Sequence, residues 1–534
     1  MSVESPDEAA WWESAVIYEI ALISFQDSDG DGKGDLAGLL SRIDYLKWLG
    51  IDAVWLTPIY KSPFRDLGYD ISDYCAIDPT FGSLEDFDRL LKALHDAGIR
   101  LILDLVPNHT ASDHAWFVES ASSRQSAKAD WYIWADAVED GGPPNNWLSR
   151  FGGNGWEWCG TRRQYYYHSF LVEQPDLNWR NPEVRKAIAD VMRFWLARGV
   201  DGFRDDASAV LIKDALLRDN PANPDAEGKP PPQRQTPVFT DDRPETMDCI
   251  EFIREVIDTY PHRMLCGEVQ GKTDRIGHFY GNDRPRLYLP LNFALLDTPW
   301  NTLSLQAAID AYLNALPEHA WPVWVIGGHD KQRIASRIGE AQMRVLAMLL
   351  MTLRGTPFVF MGDEIGRKRV PIPSDRVRDP LEKLVPGFGL CRDPERAPMR
   401  WDDSPQGGFT SGEPWLPLER PDGAANVAAQ RRDKYSILAL FSALMALRRE
   451  HACLRRGGYE PLRSQNEVLA YKRADGGSGF LVALNIAAEP RKFHWQGRGR
   501  LLISTHLDRL SEPLPDATIL LRGNEGVIIA IEAR

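Results

Sequence analysis

Apolar positions in the first hundred residues switch between two periods. Val16–Ile23 is a nearly continuous apolar run, as in a buried strand, followed by a polar Gly/Asp loop over 26–35. Leu36, Leu39, Leu40, Ile43 and Leu46 then recur at helical spacing, ending near Gly50. Ala53–Leu56 reads as the next strand. Ser83 with Asp86 forms a capping box for a helix whose Phe87, Leu90, Leu91 and Leu94 share one face until Gly98. Leu101–Val106 is a third strand. Short apolar strands separated by amphipathic helices predict βαβ units and a parallel sheet.

The alternation breaks between about 108 and 176, where the chain is rich in Trp, Tyr, Gly and Asn. It resumes with helix Pro182–Arg198, strand Val200–Arg204, a Pro-rich loop, helix Glu245–Tyr260 and strand Met264–Glu268. Further strands are expected at Leu287–Leu291, Val323–Ile326 and Pro357–Phe360. A polar, proline-rich stretch over about 366–433 precedes a last helix, Tyr435–Arg449. After Gly457 the period becomes that of short strands with Gly-rich turns: Val468–Tyr471, Phe480–Asn485, Leu501–Ser504, Ile519–Leu521 and Val527–Ile531. The pattern predicts an α/β fold: a (β/α)8 TIM barrel over 1–107 and 177–456, an inserted domain B over 108–176 after strand 3, and a C-terminal antiparallel β-sandwich over 457–534.

Charge and composition narrow the function. The 534 residues carry a net charge of −14, which argues against nucleic acid and anionic membrane as partners. The longest greasy run, around Val345–Met351, is far short of the ~20 residues of a membrane span. The acidic N-terminus lacks the order of a signal peptide. Six scattered cysteines with no C-x-x-C spacing read as free thiols of a cytoplasmic protein. Eighteen Trp and sixteen Tyr offer flat faces on which sugar rings stack.

Chemistry-bearing residues fall where strands end: Asp104 to His109, Arg204-Asp205-Asp206, Glu268, and His329-Asp330. In a TIM barrel these ends converge on one cup. In order, WWESAVIYEI, GDGKGDLAG, LGYDISDY, DLVPNH, QPDLN, GFRDD, GE, GHD and PMRW resemble the α-amylase family, glycoside hydrolase family 13, closest to its α-glucosidase and oligo-1,6-glucosidase branch. The resemblance spans nearly the whole chain. It implies Asp206 as nucleophile, Glu268 as acid/base and Asp330 as the carboxylate gripping sugar hydroxyls, in a retaining double displacement. Arg204 is expected to keep Asp206 ionised. His109 and His329 match the hydroxyl-binding pair, Asp66 and Tyr69 the residues closing the non-reducing end, and Arg396 the arginine on the same terminal sugar.

Asp27, Asp29, Asp31 and Asp35 alternate along a Gly-flexible loop, oxygen ligands suited to calcium or magnesium. The family implies one structural metal here, Ca2+ with Mg2+ as the other option, and the Lys33 carbonyl as a further ligand. Several positions depart from the family pattern. Ala21-Leu22-Ile23 stands where relatives read Tyr-Pro-Arg, Gly328 replaces an Asn, Lys331 a Gln and Asp205 an apolar residue, and Val269-Gln270 is uncommon. These changes are expected to widen or reshape the pocket mouth. With the three carboxylates intact, the expectation is an exo-acting retaining α-glucosidase on small α-glucosides. Ala207 resembles α-1,4-preferring members. The alternatives are a glucosyltransferase or sugar isomerase using the same intermediate, or a non-catalytic sugar-binding barrel.

Overall fold

The computed structural model describes residues 10–269, 275–281, 283–418, 425–464, 466–476, 479–495, 497–514 and 518–531. Gln270 and the first nine residues lie outside them. Eight parallel strands form the barrel: β1 (Ile17–Ile20), β2 (Ala53–Leu56), β3 (Arg100–Leu105), β4 (Gly202–Asp205), β5 (Met264–Glu268), β6 (Leu289–Leu291), β7 (Val323–Val325) and β8 (Thr356–Phe360). They are hydrogen-bonded in the order β6-β5-β4-β3-β2-β1-β8-β7, and β6 and β7 meet to bring the barrel nearly to closure.

Strand period sorts the side chains. One parity, including Ile17, Ala53, Ile102, Met264, Cys266, Val323 and Phe358, fills the barrel interior, and Trp12 joins the same cluster. The other, including Tyr18, Val54, Leu103, Leu105, Phe203 and Leu265, packs outward on the helices. The helix Pro182–Arg198 shows why its sequence ends where it does. Asn181 caps the Glu183 amide, Pro182 fits the first turn, and Gly199 takes a left-handed conformation at φ 107°. The run around Val345–Met351 belongs to a buried helix, Glu340–Thr352, wedged between the barrel and the C-terminal sheet. Its all-round apolarity reflects burial on every side. No described helix is long and apolar enough to cross a membrane.

Between β3 and β4 the chain builds helix Ala115–Ser122 and a three-stranded antiparallel sheet of Trp134–Ala135, Gln164–Tyr167 and Trp156–Cys159. Trp147, Trp156 and Tyr167 form its small core. This excursion is tied back to the barrel. His109 bridges Asp176, and the Lys213 ammonium, buried after β4, pairs with Asp176 and donates to Asn108 Oδ1 at 2.7 Å. After 457 a six-stranded antiparallel sheet packs on the pair Arg491–His494 and Thr518–Leu521, sharing a core that includes Phe493, Leu481 and Ile529.

Candidate active site

The interior parity that is apolar low in the barrel becomes ionic at its C-terminal end. Glu19 follows Ile17, Asp104 follows Ile102, Arg204 follows Gly202, and Glu268 follows Cys266. Asp104 and Arg204 are register partners on β3 and β4, so their side chains leave the same face. Arg204 Nη1 donates to Asp104 Oδ1 at 2.9 Å and to Asp206 Oδ1 at 2.5 Å, and Nη2 grips Glu268 Oε2. One buried guanidinium thus joins three carboxylates. The Trp55 ring lies 5.1 Å beneath it.

Asp206 sits between opposing influences. Burial raises its carboxyl above the usual range. Arg204 opposes the shift, while Glu268 and Asp104 add like charge. Two carboxyls joined through one guanidinium are coupled, so the charge on one disfavours the charge on the other. Asp330 is the contrast. Burial works to raise it, but His329, Arg392 and Arg396 hold its carboxyl well below the usual range.

The two histidines are in different states. His109 is buried, which lowers it to about 4. Its Nδ1 lies 3.1 Å from the Asn108 amide and its Nε2 3.1 Å from the Tyr69 carbonyl, the contacts of a neutral ring protonated at Nε2. His329 is buried too, yet Asp330 and Glu19 outweigh burial and hold it above its usual value. Its Nδ1 lies 2.5 Å from Glu19 Oε1, which also accepts the His329 amide. Its Nε2 lies 2.9 Å from the Tyr69 hydroxyl, which donates to Asp104 at 3.0 Å. With its one proton committed to Asp104, Tyr69 accepts from Nε2, so both ring nitrogens donate. Below its raised value His329 is therefore an imidazolium with Glu19 as counter-ion.

The cavity over these groups, about 350 Å³, is lined by Asp66, Tyr69, His109, Asp206, Glu268 and Asp330, with Phe151, Phe170, Lys331 and Arg392. Of the substrate residues expected from sequence, Arg204 and His329 stand behind the lining and act through the carboxylates. Arg396 is likewise buried behind Asp330, donating to it and, at 3.0 Å, to the His329 carbonyl. Two other arginines, Arg392 and Arg150, line the cavity. Arg392 is the one beside Asp66. It pairs with Asp66 at 3.0 Å and with Asp379 at 2.8 Å, and together they close one end. Gln174 also donates to Asp66, at 3.1 Å. Asp104 was singled out at a strand end without a role, and Glu19, Arg392 and Gln174 were given no role by sequence reasoning. The signals available were a lone acid in the apolar first strand and an Arg-Asp pair just before Arg396.

The departures from the family pattern separate in space. Ala21 and Leu22 are buried, and Ile23 faces another cavity. Among the described replacements, Lys331 alone lines the catalytic cavity, its ammonium 4.8 Å from the centre of the Phe293 ring. A Cβ at Gly328 would lie 3.3 Å from Glu19 Oε2, so an asparagine there would press on the counter-ion of His329. Asp205 points outward as strand alternation requires. It is fully buried, the nearby Ser208 hydroxyl donates to its backbone carbonyl at 3.1 Å, and burial raises its carboxyl to about 7. It is therefore largely uncharged below neutral pH.

In the acidic loop, Asp27, Asp29 and Asp35 bring carboxylate oxygens within 4.8 Å of one another. Asp27 and Asp35 are buried, and none of the three has a basic ion-pair partner among the described residues. Three converging oxygens without a counter-charge fit a hard divalent cation. Gly32, at φ 90°, lets the loop pass the Glu413 carbonyl, which a Cβ would meet at 1.9 Å. Asp31 stands apart from the group. It is exposed, accepts the Lys33 amide at 2.7 Å, and with Lys33 faces the second cavity.

Residues 20–457 match the α-amylase catalytic-domain family. The chain belongs to that family. It is 40% identical over 508 residues to a probable α-glucosidase of Rhizobium meliloti, covering 91% of each chain. An oligo-1,6-glucosidase of Halalkalibacterium halodurans is 37% identical, with 89% of this chain and 90% of that one aligned. Among solved structures, an α-glucosyl transfer enzyme, XgtA, superposes with a TM-score of 0.92 at 39% identity, over 98% of this chain and all of that one. The trehalulose synthase MutB of Pseudomonas mesoacidophila MX-45 does so at 0.89 and 33%, with the same coverage.

Proposed function

We propose that this α-amylase-family member is a retaining, exo-acting α-glucosidase that releases terminal α-linked glucose from short α-glucosides. One observation carries the reading: Arg204 joins Asp206 and Glu268 beside a cavity whose end is sealed by the Asp66–Arg392 pair. A single guanidinium reaching both carboxyls supports the close spacing of a retaining site, roughly 5–5.5 Å, over the wider inverting one. In this reading Glu268 carries the proton and gives it to the glycosidic oxygen as the leaving group departs. The charge belongs on Asp206, which attacks the anomeric carbon, with Arg204 stabilising it. Water activated by Glu268 then releases glucose and regenerates both groups. Asp330, kept ionised by its cations, grips ring hydroxyls as positive charge develops on the sugar. The sealed end admits one terminal residue, and relatives named α-glucosidase and oligo-1,6-glucosidase support this substrate class.

A second reading, transfer to a sugar or alcohol, is favoured by one feature. Arg150, Gln233 and Asp241 on the cavity's lining also line a further space of about 380 Å³, of mixed polar and apolar lining, where an acceptor could sit. Incubation with p-nitrophenyl α-glucoside beside an Asp206→Asn control tests catalysis, with wild-type release orders of magnitude above control expected. No release over control would refute it. Chromatography after concentrated maltose separates the readings: glucose alone means hydrolysis, and new oligosaccharides mean transfer. Asp27, Asp29 and Asp35 are the residues that would hold a structural Ca2+ or Mg2+, and six free thiols support a reducing, cytoplasmic setting.

A further inference from the structure

A second cavity is larger than the catalytic one. About 790 Å³ opens on the other side of the wall that closes the catalytic pocket. The two spaces share single segments: Phe64, Arg65 and Leu67 face the large cavity, while Asp66 and Tyr69 face the catalytic one. Leu171 and Phe170 divide in the same way, as do Leu384 and Leu381. Phe64 and Leu67 sit in left-handed backbone at φ 56° and 52°, which turns successive side chains to opposite sides of the wall.

The floor is apolar and fixed: Ile23, Phe64, Leu67, Leu171 and Trp415, whose indole N–H donates to Ser24 Oγ at 3.0 Å. Leu384 on the edge is 57% exposed. Around it stand Lys33, Arg65, Arg378 and Lys383, against only Asp31 and Glu173. None of the four cations has an ion-pair partner among the described residues, whereas the chain as a whole carries a net −14. An apolar, aromatic floor under unmatched cations, in a space of ligand size, is the build of a site for an amphiphilic anion.

We propose that this cavity is a second ligand site, taking a small organic anion with an aryl or alkyl body and a carboxylate, phosphate or sulfonate head. The assignment is independent of the glucosidase reading. The probe is 8-anilinonaphthalene-1-sulfonate on the full chain, followed by fluorescence and calorimetry, with uncharged N-phenyl-1-naphthylamine alongside. One saturable site for the sulfonate is expected, bound at least tenfold more tightly than the uncharged dye and not displaced by glucose. The double variant Arg378→Glu, Lys383→Glu, both on exposed side chains, should weaken it at least tenfold with melting temperature and p-nitrophenyl α-glucoside turnover retained. Ile23→Trp, which fills the floor, should weaken both dyes. Absence of saturable binding, equal affinity for the two dyes, displacement by glucose, or indifference to both variants would each overturn the proposal.

Discussion

Glu19→Gln is the substitution on which the account of the sugar-gripping side stands or falls. The amide oxygen of glutamine can still accept from His329, so the ring keeps its place and what is lost is charge. His329 is held above its usual value by Asp330 and by Glu19, against burial. Removing Glu19's charge lowers it. A charge-assisted hydrogen bond in such a site is worth about 1.5–3 kcal/mol, which is roughly ten- to a hundredfold in rate if it acts in the transition state. Because folding raises His329, the stability this pair supplies is complete below the unfolded value near 6.5 and disappears as pH rises through the folded one. The variant's deficit in melting temperature should therefore be largest near pH 6 and close above the folded value. Its kcat/KM on p-nitrophenyl α-glucoside, followed from pH 5 to 9, should begin to fall at lower pH than the wild-type limb. Superimposable profiles with rates within twofold would show that His329 needs no counter-ion and that the proton assignment is wrong.

Arg392→Ala should raise KM about ten- to a hundredfold, the worth of a buried charged hydrogen bond, with Arg392→Lys recovering part of it; steady-state kinetics that leave KM unchanged would remove Arg392 from the closed end. EDTA should lower the melting temperature more than turnover, since an ion bound only by the folded state at a hundredfold excess over Kd contributes about 2.7 kcal/mol. An unchanged transition with no metal by elemental analysis would dismiss the Asp27, Asp29, Asp35 site. Lys213→Met leaves Asp176 buried without its cation and should cost about 3–5 kcal/mol of stability, read as a lowered melting temperature with the excursion after β3 more open to proteolysis.

Much of this protein was legible along the chain because period is a local property. Alternating helical and strand spacing announced eight barrel strands, and Pro182–Arg198 and Met264–Glu268 run between the residues expected. Strand alternation alone requires Asp205 to face away from Arg204 and Asp206. The carboxylates Asp206, Glu268 and Asp330 were visible because each sits at a strand end within a distinctive motif. Tertiary structure decided what depends on neighbours far apart in sequence. Glu19 and His329 are 310 positions apart, and only barrel closure makes them an ion pair. Arg392 and Arg396, one helical turn apart, could not be told apart by spacing, since the difference lies in which of them meets Asp66 across 326 positions. The setting of Asp206 followed the same rule: Arg204 two residues away favours its charge, while burial and Glu268, contributed by another strand, oppose it. Sequence records which groups are present and their local direction, whereas desolvation and long-range pairing exist only once the barrel has closed around them.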